Sequence, residues 1–266
     1  MTPLSTKQLL PKDDSWSTPF AESLLQHLDL QAGLHILDVA CGSGIPAFYL
    51  AEQVGPSGQV LGLDVNAHQI AYARSIQGSQ MPWLRFECAD VRALPDTIAQ
   101  FDRITGNLSV MFFRPDRFDT VKGLIDHLKS GGQIVLTFPS QGTFDSLWAL
   151  IDRHMVEEGL TVERERFQTY LQERPSIEEG RDWLERLALD RIVAADYPLP
   201  VETGTGRDFL EHPLLRRGFL DDVYECFDDQ RGAERFMSGI ARVLPACLPL
   251  IARRGVLAGW NRQAAE

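Results

Sequence analysis

The sequence predicts an α/β fold built on a doubly wound, mostly parallel sheet with helices on both faces. Three observations predict it. Short apolar strand-like runs alternate with helix-period segments through the first 140 residues, the loops between them are short, and a glycine-rich loop follows the first run. The chain has 266 residues, 44% hydrophobic and 24% charged, which is enough apolar material to fold as an elaborated globular protein.

The elements follow in order. Residues 34–40 read as a short buried strand, succeeded by the glycine loop and a helix through Leu50. Residues 60–64 form a second strand, after which Asn66 caps a helix running toward Arg74. Residues 84–88 and 101–105 are the third and fourth strands, and residues 133–138 are the fifth, behind a Gly131-Gly132 turn. Between the last two, Phe118, Val121, Leu124, Ile125 and Leu128 recur at helical spacing. Residues 144–191 read as mostly helical. They are followed by a strand-like stretch at 192–201, a turn at Gly204-Thr205-Gly206, helix around 219–227 and 236–250, and strand character at 255–260. No linker or internal repeat divides the chain. Residues 1–140 are therefore read as a ligand-binding core, and residues 141–266 as helical elements added to the end of the same sheet, with its final strands.

Composition excludes several function classes. The formal net charge of −11 argues against nucleic-acid binding, which needs a basic face for phosphate contacts. The longest apolar run, 243–252, is broken by Pro245 and Pro249 and is far short of the ~20 residues a membrane span needs. Cys41, Cys88, Cys226 and Cys247 are scattered without a CxxC pair, which suggests neither a disulfide scaffold nor a zinc site and makes a reduced, cytoplasmic setting the expectation. Beyond Lys129 every formally positive side chain is an arginine.

The chemistry gathers at strand ends. In Asp38-Val39-Ala40-Cys41-Gly42-Ser43-Gly44-Ile45-Pro46-Ala47, the glycines let the chain turn sharply and let a ligand approach the main chain, while the next helix aims its N-terminal N–H groups at the same place. Pro46 suits an early helical turn. Asp64 ends the second strand and Asp90 follows the third. Each acid alone reads as a helix cap or surface residue, but in a doubly wound sheet Asp38, Asp64 and Asp90 converge on one crevice. The stretch 42–47 also fits G-x-G-x-x-A with an acid about 20 residues on, so a nicotinamide dinucleotide stays open. The acid-rich crevice speaks against a pyrophosphate and for S-adenosyl-L-methionine, whose sulfonium, ammonium, ribose and adenine amino groups all prefer acceptors or negative charge.

Leu37-Asp38-Val39-Ala40-Cys41-Gly42-Ser43-Gly44 resembles the first motif of class I S-adenosylmethionine-dependent methyltransferases. Leu63-Asp64-Val65-Asn66, Ala89-Asp90-Val91-Arg92-Ala93-Leu94-Pro95, Phe101-Asp102-Arg103-Ile104 and the glycine turn Leu128-Lys129-Ser130-Gly131-Gly132 resemble the motifs that follow in that family, in order, over residues 15–140. The resemblance implies a Rossmann-like sheet of seven strands, the last of them, at 255–260, antiparallel. It implies that the backbone of Ala40, Cys41, Gly42 and Gly44 cradles the methionine portion of the cofactor, with Asp38 near its amino end. It places Asp64, with Val65 beside it, on the ribose hydroxyls, and Asp90 on the adenine amino group between Ala89 and Val91. Asn107, Leu108 and Ser109 then border the methyl group.

After the fourth strand stands Asn107-Leu108-Ser109-Val110 rather than the Asn-Pro-Pro-aromatic of members that methylate DNA adenine or protein glutamine. With the negative charge, this points to the small-molecule, ubiquinone/menaquinone-methyltransferase-like branch, acting as a monomer or homodimer with no nucleic-acid partner. The helical second half then reads as a lid, with Trp16, Met111, Phe112, Phe144, Phe167 and Tyr170 as pocket candidates set against ordinary core packing. His127 and His154 are the candidates for a general base, but no catalytic residue is assigned and no metal site is expected. An NAD(P)-dependent oxidoreductase and a catalytically inactive methyltransferase-like subunit remain the rival readings.

Overall fold

The computed structural model describes residues 16–77, 79, 81–95, 98–201, 206–211 and 219–262. The N-terminal residues 1–15 and the Gly204-Thr205 part of the expected turn lie outside them. Seven strands form one sheet: β1 (His35–Val39), β2 (Gln59–Asp64), β3 (Leu84–Cys88), β4 (Phe101–Gly106), β5 (Leu128–Pro139), β6 (Asp190–Val201) and β7 (Leu250–Trp260), in the order β3-β2-β1-β4-β5-β7-β6. Neighbours from β3 through β5 pair in parallel, and β7 pairs antiparallel with β5. The α/β sheet, its parallel core and its antiparallel final strand are as the sequence predicts.

Side-chain alternation explains why the strands are buried on both faces. Leu37, Val39, Leu61, Leu63, Ile104 and Ile134 join one apolar cluster with Val121, Leu124 and Ile125 of α4 (Arg117–Asp126) and with Trp183 and Leu184 of α7 (Ile177–Arg186). Ile36, Val60, Leu84, Phe86 and Val135 join the other, covered by α1 (Ser17–His27), α2 (Ala47–Val54) and α3 (Ala67–Gln77). On that second face Gln133 accepts from the Asp29 N–H at 2.8 Å and donates to the His27 carbonyl at 2.7 Å, tying the end of α1 to β5.

Two local readings change. The Gly131-Gly132 turn lies inside β5 as a bulge: Phe101 pairs with Leu128 while Arg103 pairs with Gln133, so the chain between them loops out. Gly131 takes φ +74°, and Asn261 closes the bulge, its Nδ2 donating to the Leu128 carbonyl at 2.8 Å. Pro46 stands just before α2 rather than within its first turn, and its carbonyl accepts from the Leu50 N–H at 3.1 Å.

The switch point lies between β1 and β4. The chain runs outward from β1 to β2 and β3, then crosses back to β4 on the other side of β1. Ligands of open α/β sheets bind at the carboxyl ends of the strands at this reversal.

Contact clustering divides the chain into two compact units. One comprises Met1–Pro139, Ser176–Asp196 and Arg254–Glu266, so α7 belongs with the sheet; the other comprises Ser140–Pro175 and Tyr197–Arg253. The second unit contains α5 (Asp145–Glu157), α6 (Thr161–Gln172), α8 (Gly206–Glu211), α9 (Asp221–Tyr224) and α10 (Gln230–Val243). Its core is aromatic. Trp148 lies 6.1 Å from both Phe167 and Tyr170, and Phe144 lies 5.9 Å from Phe219, measured between ring centroids. Phe144, Phe167 and Tyr170 are all buried in this packing, which is the ordinary-core alternative for those pocket candidates. In the first unit Trp16 is likewise buried, its ring 5.2 Å from Phe20, whereas Phe112 is 56% exposed.

Candidate functional site

Asp38 is fully buried in β1, in register with Gly62 of β2 on one side and Thr105 of β4 on the other. The Thr105 hydroxyl donates to Asp38 Oδ1 at 2.7 Å, and Asp38 Oδ2 has no hydrogen-bond partner. Burial pushes the Asp38 carboxyl up to about 7. The Thr105 hydrogen bond works against that rise, and the nearby Asp64 charge adds to it.

The loop after β1 is held by its own backbone. Ala40 and Gly42 both have φ +51° and Gly44 has φ +101°, so the chain passes through left-handed geometry that an alanine adopts only at some cost. The Cys41 N–H donates to the Leu63 carbonyl at 3.0 Å, the Gly44 N–H to the Cys41 carbonyl at 2.8 Å, and the Gly42 N–H to Asp64 Oδ2 at 2.9 Å. The other Asp64 oxygen accepts from the Asn66 N–H at 2.8 Å, and the Asp64 carbonyl accepts from the Ala89 N–H at 3.0 Å. The ends of β1, β2 and β3 are thereby stitched together, and the stitching brings Asp38, Ala40, Cys41, Gly42, Gly44, Asp64 and Ala89 into one constellation. Burial, then the charges of Asp38 and Asp64, push the Cys41 thiol well above the ordinary thiol range, so it is packing and not a nucleophile. A Cβ on Gly44 would stand 2.5 Å from the Phe48 ring in a backbone conformation L residues avoid. Gly44→Ala is therefore expected to cost about 1–2 kcal/mol of stability in thermal unfolding and to open the loop.

The outer residues depart in part from expectation. Asp90 caps the 3₁₀ turn Val91–Ala93, accepting from the Arg92 N–H at 2.9 Å, and the Arg92 guanidinium forks onto both its oxygens, with Nη2 at 2.7 Å from Oδ2. That hydrogen-bonded pairing holds the Asp90 carboxyl below the usual carboxylate range. The capping role, the bland alternative for this acid, is thus present. A ligand at Asp90 shares it with Arg92. Val91 is half-buried and Val65 is exposed. The Asn107 side chain is committed to the scaffold: Nδ2 donates to the Ser17 carbonyl at 3.1 Å and Oδ1 accepts from the Thr137 hydroxyl at 2.8 Å. Leu108, at φ +55°, is held too, its N–H donating to the Thr137 hydroxyl oxygen at 3.1 Å.

His127 lines a cavity of about 310 Å³ with Val91, Arg92 and Asp119; none of Asp38, Gly42 or Asp64 borders it. The His154 ring is bonded to the Leu150 carbonyl of its own helix at 3.0 Å. Among the described residues no group of three or more His, Cys, Asp or Glu side chains could hold a metal ion, and no helix is long and apolar enough to cross a membrane. Thr105 and Thr137 are site residues that sequence reasoning missed. Thr105 could have been found by aligning strand parity, because it falls one strand over from Asp38 on the same sheet face.

The donor and acceptor balance discriminates between ligands. A pyrophosphate needs free N–H groups, but those of Cys41, Gly42 and Gly44 are spent on the protein's own oxygens. What the loop leaves is a buried, unpartnered carboxyl oxygen beside a second acid, which suits a cation with vicinal hydroxyls.

Residues 36–132 match a family model described as a methyltransferase domain. The chain is 31% identical over 169 residues to the methyltransferase GfsG of Streptomyces halstedii, covering 62% of this chain and 58% of that one. It is 34% identical over 112 residues to demethylmenaquinone methyltransferase of Lactococcus lactis, covering 42% and 44%. These alignments span about half the length of the curated relatives matched. Among solved structures, YcgJ of Bacillus subtilis superposes with a TM-score of 0.58 at 15% identity, covering 92% of this chain and 99% of that one, a likeness of fold.

Proposed function

We propose, from the match of residues 36–132 to a methyltransferase-domain model and from the sheet order β3-β2-β1-β4-β5-β7-β6, that the protein is an enzyme that binds S-adenosyl-L-methionine and transfers its methyl group to a small-molecule acceptor. The observation that carries the reading is the fully buried Asp38 with one oxygen unpartnered, beside a loop in which the Cys41, Gly42 and Gly44 amides are already spent. When bound, the cofactor supplies an electrophilic methyl group on a sulfonium that leaves as a neutral thioether.

The chain's own residues bind and orient. The Asp38 carboxylate holds the ammonium end, and the backbone from Ala40 to Gly44 cradles the methionine portion. The Asp64 oxygens, kept in place by the Gly42 and Asn66 amides, retain lone pairs for the ribose hydroxyls. Ala89, Asp90 and Val91 border the adenine, and Asn107 and Leu108 border the reacting side. Placing an acceptor atom in line behind the methyl group can supply an effective molarity on the order of 10⁵ M, so no side chain has to act as a nucleophile.

A small-molecule acceptor is supported by the relative named demethylmenaquinone methyltransferase and by the net charge of −11. Incubating the purified full chain with methyl-labelled S-adenosyl-L-methionine and separate pools of demethylated quinones, aromatic acids and bulk tRNA tests the proposal. Label is expected in a small-molecule pool. Label in tRNA alone would overturn the substrate class, and failure to bind the cofactor would overturn the reading altogether.

A further inference from the structure

Resting on that reading, we propose that Thr105 is a positioning residue. Its hydroxyl pins one oxygen of the Asp38 carboxyl, leaving the other for the cofactor's cationic group, and binding of that cation expels the Asp38 proton to solvent.

Geometry carries the inference. Both side chains are fully buried on adjacent strands in direct register, the hydrogen bond is 2.7 Å, and the second Asp38 oxygen has no partner. An unsatisfied buried carboxyl oxygen is costly unless something later satisfies it. Among the described residues, the groups that face Asp38 are the Thr105 hydroxyl from β4, the Asp64 carboxylate from the end of β2 and the Cys41 thiol from the loop. None of them is a cation. Asp64 is anchored by two backbone amides, which fixes a negative charge beside Asp38 and opposes a second one. The free protein consequently holds the Asp38 proton up to about pH 7.

An incoming ammonium reverses the balance, because opposite charge at close range favours the ionised acid. The O–H bond of the Asp38 carboxyl breaks, its electron pair stays on the carboxylate, and the proton passes to buffer. Thr105 donates to Oδ1 in both states. It therefore sets the carboxyl's orientation and lowers the pH at which the proton is given up.

The test is calorimetric titration of the full chain with S-adenosylhomocysteine, which carries the same ammonium and ribose, in phosphate and in Tris from pH 6 to pH 8.5. The wild type is expected to release close to one proton per site near pH 6 and almost none at pH 8.5, with affinity rising about tenfold over that range. Thr105→Val should bind several-fold more weakly at pH 7, with the rise in affinity displaced to higher pH, and Thr105→Ser should restore the wild-type profile. Asp38→Asn should abolish proton release. Binding without proton release, or a Thr105→Val profile that coincides with the wild type while only its melting temperature falls, would overturn the inference and leave the proposed function standing. Absence of binding by the wild type at every pH would instead overturn the proposed function.

Discussion

Replacing Asp64 with alanine is expected to weaken S-adenosylhomocysteine binding by at least ~100-fold and to destabilise the free protein by about 1–3 kcal/mol. The two effects have one source. The Asp64 carboxylate accepts the Gly42 amide at 2.9 Å and the Asn66 amide at 2.8 Å, so its loss frees the glycine loop from β2 and uncaps the turn into α3. On the proposed function the ribose loses its acceptors in the same step. Calorimetry of the variant beside urea unfolding checks both halves. Affinity within threefold of the wild type would show that the carboxylate only braces the loop.

Asp38→Asn is expected to separate binding from stability. The variant loses the charge proposed to hold the cofactor's ammonium, and affinity at pH 8 should fall by ~100-fold or more. Its folded state should nevertheless gain stability at that pH. Because the folded Asp38 titrates at about 7 rather than 3.8, the folded protein keeps a proton that the unfolded chain gives up between those values. Its contribution is complete below about pH 4 and is lost as pH rises through about 7. Asparagine is neutral throughout and keeps the bond from Thr105, so the variant should exceed the free wild type by roughly 4 kcal/mol at most at pH 8 and match it near pH 4. Thermal melts at the two pH values check the sign. A variant less stable than the wild type at pH 8 would contradict the account of Asp38.

Strand–helix alternation and the glycine loop made the sheet's first five strands legible, because those signals are local. Asp38, Asp64 and the loop between Ala40 and Gly44 were legible for the same reason. What escaped depends on register and on distant partners. Thr105 reaches Asp38 only because β4 pairs with β1 so that positions 38 and 105 lie side by side. The Asn107 amide is consumed by a carbonyl 90 residues earlier in the chain. The Gly131-Gly132 turn is a bulge because Asn261, near the end of the final strand, closes it. Asp90 shows a different limit: its sequence position permits both a ligand contact and a cap, and the Arg92 fork decides that the cap is made. The arginines beyond Lys129 acquire a physical use. Arg164 forks onto Asp152, Arg186 lies 4.0 Å over Phe118 and Arg191 lies 3.9 Å over Trp260. Forking and stacking suit a planar guanidinium better than an ammonium.

The strand ends are proposed to offer acceptors to a cationic nucleoside ligand rather than donors to a pyrophosphate. Titrating the full chain with S-adenosyl-L-methionine and, in parallel, with NAD tests it most directly. One S-adenosyl-L-methionine site per chain is expected, with a Kd on the order of micromolar, and no saturation by NAD. Saturable NAD binding without S-adenosyl-L-methionine binding would contradict it.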